Sequence, residues 1–337
     1  MRSTAAALLV LLLSAPACLP LRLPRLPRLR GPPRRLEAVV LDADGTFLDP
    51  DHRVSEANAA AVEAARSAGL RVFLATGRAC SGPWVGECLT PLQLEAPGVF
   101  IQGLTAFDAD GARIHDAKLA PSVVEAVQEA CSAQVEAGSA GIILSAYVQE
   151  RLVVACDDGT NPWVERYASY GDGDIEIWDD ECSLDPFDLK GALRGDAPNK
   201  LLVLSDESSV PALRVALEEA LADEPARVVK ALDWTLEILP TRTSKAAGLK
   251  VLLDALQISP RHVMACGDGE NDLEMMRMVG LPVAMGNAKP VLVQTAGRQT
   301  ASNAEDGVAK AITEYALPRA PANVPPRRGL LRRLLRR

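Results

Sequence analysis

A chain of 337 residues with 48% hydrophobic content is long enough for about two domains with well-formed cores. Its 44 acids outnumber its 36 bases, for a net charge of −8, which argues against a general nucleic-acid binder. The 7 cysteines show neither Cys-x-x-Cys nor zinc spacing, so no zinc module is expected and they read as scattered core thiols.

Residues 1–36 read as a targeting leader rather than part of the fold. Arg2 precedes an apolar run from Ala5 to Leu13, and Ser14 to Cys18 supplies small residues suited to cleavage. The run is too short to span a membrane. The segment from Leu21 to Arg35 is rich in Arg and Pro and has no acid. A signal followed by such a segment resembles the two-part leader of plastid proteins in algae with secondary plastids; secretion is the alternative. At the other end, residues 319–337 form a basic tail in which arginine pairs alternate with leucine pairs. It reads as disordered, with weak contact to an anionic surface as the alternative. The fourteen arginines in these two ends leave 22 bases against 44 acids between them, about −22. An anionic substrate would therefore depend on local cations.

The first element of the fold is an apolar strand, Ala38 to Leu41, followed by Asp42-Ala43-Asp44-Gly45-Thr46. Strand carboxyl ends are where open α/β sheets place their sites. If the strand continues, alternation puts Asp42 and Asp44 on one side of the chain. Such a pair can hold a hard cation such as Mg²⁺. Asp42 can then act as nucleophile and Asp44 as acid/base; an ordinary metal-free turn explains the same residues. The repeat Asp108-Ala109-Asp110-Gly111 lies between Phe107 and Ala112 and reads as a hairpin turn.

Ser55 is positioned to N-cap a helix running to Ala68, ahead of a strand from Leu70 to Ala75 that ends in Thr76-Gly77-Arg78. A hydroxyl and free backbone N–H groups at that point suit phosphate, although Thr-Gly-Arg is also a common turn. From 108 to 229 the pattern changes to short strands interleaved with two helices (Pro121 to Glu136 and near Val210 to Leu221) and an acid- and Gly-rich loop, Tyr170 to Asp180. This reads as an inserted α+β module carrying no chemical motif, a lid or specificity domain. After a strand from Trp234 to Ile238, a helix with Leu249, Leu252, Leu253 and Leu256 on one stripe places Lys245 in its first turn. A cation is disfavoured there unless an anion joins it. A last apolar strand ends in Gly267-Asp268-Gly269-Glu270-Asn271-Asp272, where Asp268 can complete the cation site, with Asn271 and Asp272 supporting it.

Four strand ends in the order Asp-x-Asp, Thr, Lys, Asp, together with Met285-Gly-Asn-Ala288 and Asn303-Ala-Glu-Asp-Gly-Val308, resemble the haloacid dehalogenase superfamily, specifically the Cof-type phosphatases with a C2-type cap. The resemblance covers about 37–107 and 230–316, the cap in outline only, and neither tail. It implies a Rossmann-like α/β core with a mainly parallel sheet (37–107 and 230–318) and an inserted α+β cap (108–229). It also implies a Mg²⁺-dependent phosphomonoester hydrolase acting on a small phosphorylated metabolite through an aspartyl-phosphate. Asp42 would be nucleophile and metal ligand, and Asp44 acid/base, touching the metal through its backbone carbonyl. Thr76, Gly77, Arg78, Lys245 and Asn271 would hold the phosphoryl group, Asp268 would ligate the metal, and Asp272 would support it from the second rank. Gln102 stands before Gly103 where relatives commonly carry Asn. A phosphosugar mutase of the same fold and a binding protein acting through the basic tail are the alternatives.

Overall fold

The computed structural model describes residues 33–139, 141–154, 162–169, 174–177, 187 and 189–321. Nearly all of the expected leader, most of the basic tail, and Cys156 and Cys182 lie outside the described residues. No helix among those described is long and apolar enough to cross a membrane.

The chain begins with strand β1 (Ala38–Leu41), then helix α1 (Glu56–Ser67), capped by the Ser55 side chain accepting from the Asn58 amide, and β2 (Arg71–Ala75). Three short strands follow, β3 (Gly98–Phe100), β4 (Thr105–Phe107) and β5 (Arg113–Asp116). The second unit of structure contains α2 (Pro121–Glu136), β6 (Ile143–Val148), β7 (Arg151–Val154), α3 (Pro162–Ala168), β8 (Asp174–Ile177) and α4 (Lys190–Leu193). It continues through β9 (Lys200–Leu204), α5 (Val210–Ala220), β10 (Ala226–Leu232) and β11 (Thr235–Pro240). The chain then supplies α6 (Lys245–Ala255), β12 (Val263–Gly267), α7 (Leu273–Met278), β13 (Leu281–Ala284), α8 (Pro290–Ala296) and α9 (Gly307–Ala311).

These strands make two sheets. The larger runs β13-β12-β1-β2-β3-β4-β5 and is parallel from β13 to β3, with β4 and β5 added antiparallel. Helices cover both of its faces, which is why its central strands are apolar on both sides. Val39, Leu41, Val72, Leu74, Met264 and Cys266 pack with α1 and α9. Val40, Phe73, Ala75, Val263 and Ala265 pack with α6, α7 and α8. Met275 and Met276 are buried in that second layer as filler.

The smaller sheet runs β10-β11-β9-β6-β7-β8 and is antiparallel except for β7-β8. Its outer face packs under α2 and α5 through Leu144, Ala146, Leu201, Val203, Leu236 and Ile238. Its other face carries Tyr147, Leu152, Leu202 and Leu204, which join the core cluster of the larger domain.

Three expectations change. Sheet membership moves both junctions: β5 belongs to the larger sheet, and the 229/230 junction falls inside β10. The strand expected at Trp234 to Ile238 is β11 of the smaller sheet. The sequence marks strands but not their partners, and the hairpin at Asp108–Ala112 keeps β5 beside β4. Finally, Asp174–Ile177, inside the expected loop, pairs with β7; a four-residue alternation among acids and glycines is too short to read.

Candidate active site

β1 stops at Leu41, and Asp42 opens a wide turn closed by bonds from the Phe47 amide to the Asp42 carbonyl (3.2 Å) and from the Leu48 amide to the Ala43 carbonyl (2.9 Å). Because the strand does not continue, Asp42 and Asp44 diverge, contrary to the alternation expected. Buried Asp42 turns towards Lys245, with Nζ to Oδ1 at 2.6 Å. Asp44 remains about half exposed and takes two bonds from Arg78, at 2.8 and 2.6 Å, with His52 Nδ1 at 3.2 Å. Gly45 has φ of +69°, and a Cβ there would run into the Asp268 carboxylate.

β2 delivers Thr76-Gly77-Arg78. Thr76 is buried, and its hydroxyl accepts from the Arg78 amide at 3.1 Å. Arg78 is also buried, with its guanidinium 5.3 Å from the Trp84 ring. The structure therefore engages Arg78 with Asp44. Gly77 lies against Gln102, since a Cβ would stand 2.6 Å from Nε2. Gln102 Oε1 accepts in turn from Asn271 Nδ2 at 3.2 Å.

α6 opens with Ser244 accepting from the Ala247 amide, so that Lys245, 1% exposed, points inward. Its ammonium bonds Asp42 and, at 2.9 Å, Asp272. The other Asp272 oxygen accepts from the amides of Asp268 and Gly269, at 3.0 and 3.1 Å, and shapes the loop after β12. Asp42, Asp268 and Asp272 can each offer an oxygen within 4.8 Å of the others. This group includes Asp272, expected only as support, and not the Asp44 carboxylate, which Arg78 holds.

Burial, reinforced by Asp272 and Asp268, raises the Asp42 carboxyl well above its ordinary range despite Lys245. Burial and Asp272 likewise raise Asp268. Burial opposes charge on Lys245, but Asp272 and Asp42 outweigh it and hold the ammonium charged. Three carboxylates thus crowd one cation, and a further hard cation among their oxygens would relieve the excess. For Asp44, burial acts upwards, but the hydrogen bonds and charge of Arg78, helped by His52, leave it below the ordinary range.

Asn287 Nδ2 donates to the Gly45 carbonyl at 2.8 Å, and Asn303 Nδ2 donates to the Leu48 carbonyl at 2.9 Å. These asparagines brace the Asp42 turn from the far end of the chain, which explains two motifs that had no assigned role. A cavity of about 400 Å³ connects Asp42, Asp44, Gly77, Arg78, Lys245, Asp268 and Asn271. His52, Tyr167, Lys200, Thr235 and Glu237 line it too, and sequence reasoning missed them. Lys200 and Glu237 sit in apolar strands, where a single charged residue carries no signal of its direction.

The haloacid dehalogenase-like hydrolase family matches residues 39–312. Endoribonuclease YBEY, chloroplastic, of Arabidopsis thaliana is 34% identical over 82% of this chain, which spans only 46% of that protein. The 5-amino-6-(5-phospho-D-ribitylamino)uracil phosphatase YitU of Bacillus subtilis is 28% identical, over 82% of this chain and 96% of its own. Among solved structures, a haloacid dehalogenase-like hydrolase from Bacteroides thetaiotaomicron superposes with a TM-score of 0.68 at 26% identity, covering 83% of this chain and 99% of that one.

Proposed function

Because the chain belongs to the haloacid dehalogenase-like hydrolase family, we propose that it is a phosphatase that cleaves a small phosphomonoester, with Asp42 attacking phosphorus. The observation that carries this reading is the cluster of buried Asp42, Lys245 and Asp272 with part-buried Asp268, of which Asp42, Lys245 and Asp268 line one cavity with Asp44. The name of YitU, matched over nearly its full length, supports a phosphorylated metabolite as substrate.

In this reading Lys245 and the backbone of Thr76 and Gly77 hold the phosphoryl oxygens. Asp42 attacks phosphorus as the leaving oxygen departs, giving an aspartyl-phosphate, and Asp44, once protonated, hands its proton to that oxygen. Asp44 then takes a proton from the water that attacks phosphorus and frees Asp42. The Arg78 pair favours the Asp44 carboxylate that the second half requires and must loosen for Asp44 to carry the proton it gives in the first half, so Arg78 acts through Asp44 rather than as a phosphate ligand. Asp42 and Asp268, with Asp272, would hold Mg²⁺, which when bound neutralises phosphate charge. Positioning and charge stabilisation would supply most of the rate.

The test is phosphate release over sugar phosphates, nucleotides, phosphoglycolate and flavin mononucleotide, with Mg²⁺ and with chelator. Release that disappears with chelator and returns with Mg²⁺ is expected; release indifferent to chelator contradicts the metal assignment. For location we propose a plastid, supported by the leader and by an Arabidopsis relative named chloroplastic. Residues 1–36 fused to a fluorescent protein should enter plastids, and a secreted fusion would refute this.

A further inference from the structure

Two lysines are buried among the described residues, Lys245 and Lys200, and both line the cavity that contains Asp42. Lys245 belongs to phosphoryl transfer. Lys200 opens β9 on the opposite wall, contributed by the smaller sheet. Its ammonium bonds Glu237 of β11 at 2.7 Å and lies 4.4 Å from the Tyr147 ring centroid. The Tyr147 hydroxyl is 2.8 Å from that of Tyr167, another residue of the cavity wall.

Stability alone gives little reason for this pair. It lies on a sheet face that carries Tyr147, Leu152, Leu202 and Leu204 together with the small buried hydroxyls of Ser145 and Thr235, and is the one ion pair among the described residues of that face. Replacing a buried ion pair with apolar residues of similar volume is often neutral or stabilising. The pair instead borders the cavity beside Gln102 and Thr235, where a substrate's non-phosphate part would lie once its phosphate sat at Asp42 and Lys245.

We propose that Lys200 and Glu237 form the subsite that reads the leaving group, the ammonium meeting an acceptor and the carboxylate meeting a neighbouring donor. This inference rests on the phosphatase reading. The chemistry required is an adjacent donor and acceptor, as in the vicinal hydroxyls of a sugar or polyol phosphate or the amide edge of a pyrimidine nucleotide. The Tyr147 ring and the Glu237 carboxylate hold the ammonium in place between them.

The full chain, with Mg²⁺, is assayed on phenyl phosphate, ribose 5-phosphate and uridine monophosphate as wild type, Lys200→Met, Glu237→Gln and the double variant Lys200→Met/Glu237→Leu. The double variant, which leaves no unpaired charge, keeps the test valid if a single variant fails to fold. For whichever polar substrate the subsite reads, kcat/KM should fall about 10- to 100-fold further than for phenyl phosphate, which offers neither donor nor acceptor on its ring. The arm that falls distinguishes sugar from pyrimidine. Equal losses on all three substrates, or a lowered melting temperature with unchanged selectivity, would make the pair structural and overturn the proposal. If the wild type shows no Asp42-dependent phosphate release from these three or from the wider panel above, the phosphatase reading itself fails first.

Discussion

Gly45 decides how closely the two acidic strand ends approach. Its φ of +69° and the Asp268 carboxylate packed over it leave no space for a side chain. Gly45→Ala should lose about 1–3 kcal/mol of stability in urea unfolding, from the positive φ and the forced displacement, and most of its turnover; a wild-type rate would show the close approach to be dispensable. A thiol offers an independent check on the second core. Burial pushes Cys131 up to about 12, so at pH 8.5 it stays protonated when folded and ionises readily only when unfolded. The folded state therefore holds the extra proton, and any stability this thiol contributes is present below its unfolded value of about 9 and lost as pH rises towards 12. Iodoacetamide at pH 8.5 should label Cys131 only after denaturation; rapid labelling of native protein would contradict its placement on the buried face of α2. At this scale the gathering of the site was largely legible, because Asp42, Lys245 and Asp268 each follow a recognisable strand end or open a helix. Arg78 was not, since a Thr-Gly-Arg triplet does not reveal that its guanidinium turns to Asp44.

Elements act by aiming those residues. α6 does so most directly, because Gly103, with φ of +90°, meets the Ser244 carbonyl at its N-terminus and sets how deeply Lys245 enters. By contrast, the Ser55 cap of α1 does purely local work. Ser55→Ala should cost about 1 kcal/mol, read as a shifted urea midpoint with unchanged slope; no shift would mean that the cap contributes nothing. Helix and strand positions were readable from periodicity and caps, and α2 spans the residues expected from its apolar spacing. Pairing was not readable. A strand's sequence states that it is buried but not against what, which is why β11 was expected in the wrong sheet, the 107/108 boundary cut β5 off from β4, and β8 was taken for loop.

For the whole molecule, the smaller sheet supplies one side of the cavity that contains Asp42, through Lys200, Leu202, Thr235 and Glu237. The β6–β7 turn, with Gln149 and Glu150 both at positive φ, reaches the loop that follows Thr76-Gly77-Arg78. There Glu150 Oε2 accepts from the Cys80 amide at 2.7 Å, and the Ser81 hydroxyl donates to the Glu150 carbonyl. This contact joins the smaller sheet to the loop after Thr76-Gly77-Arg78, proposed above to hold the phosphoryl group, so it should favour the closed cavity. Glu150→Ala should raise KM about tenfold, the worth of one hydrogen bond to a charged group, with a smaller change in kcat. An unchanged KM would mean that closure does not depend on this contact. Nothing in the sequence of the hairpin foretold the contact, since its partners are about seventy residues apart.

The proposed chemistry turns on phosphorylation of Asp42. The most direct measurement is acid quenching of the enzyme during turnover, followed by mass spectrometry of the peptide carrying Asp42, with Asp42→Asn as control. Phosphate on Asp42 is expected in the wild type, with no phosphopeptide and no turnover in a variant that remains folded. Turnover persisting in folded Asp42→Asn would contradict it.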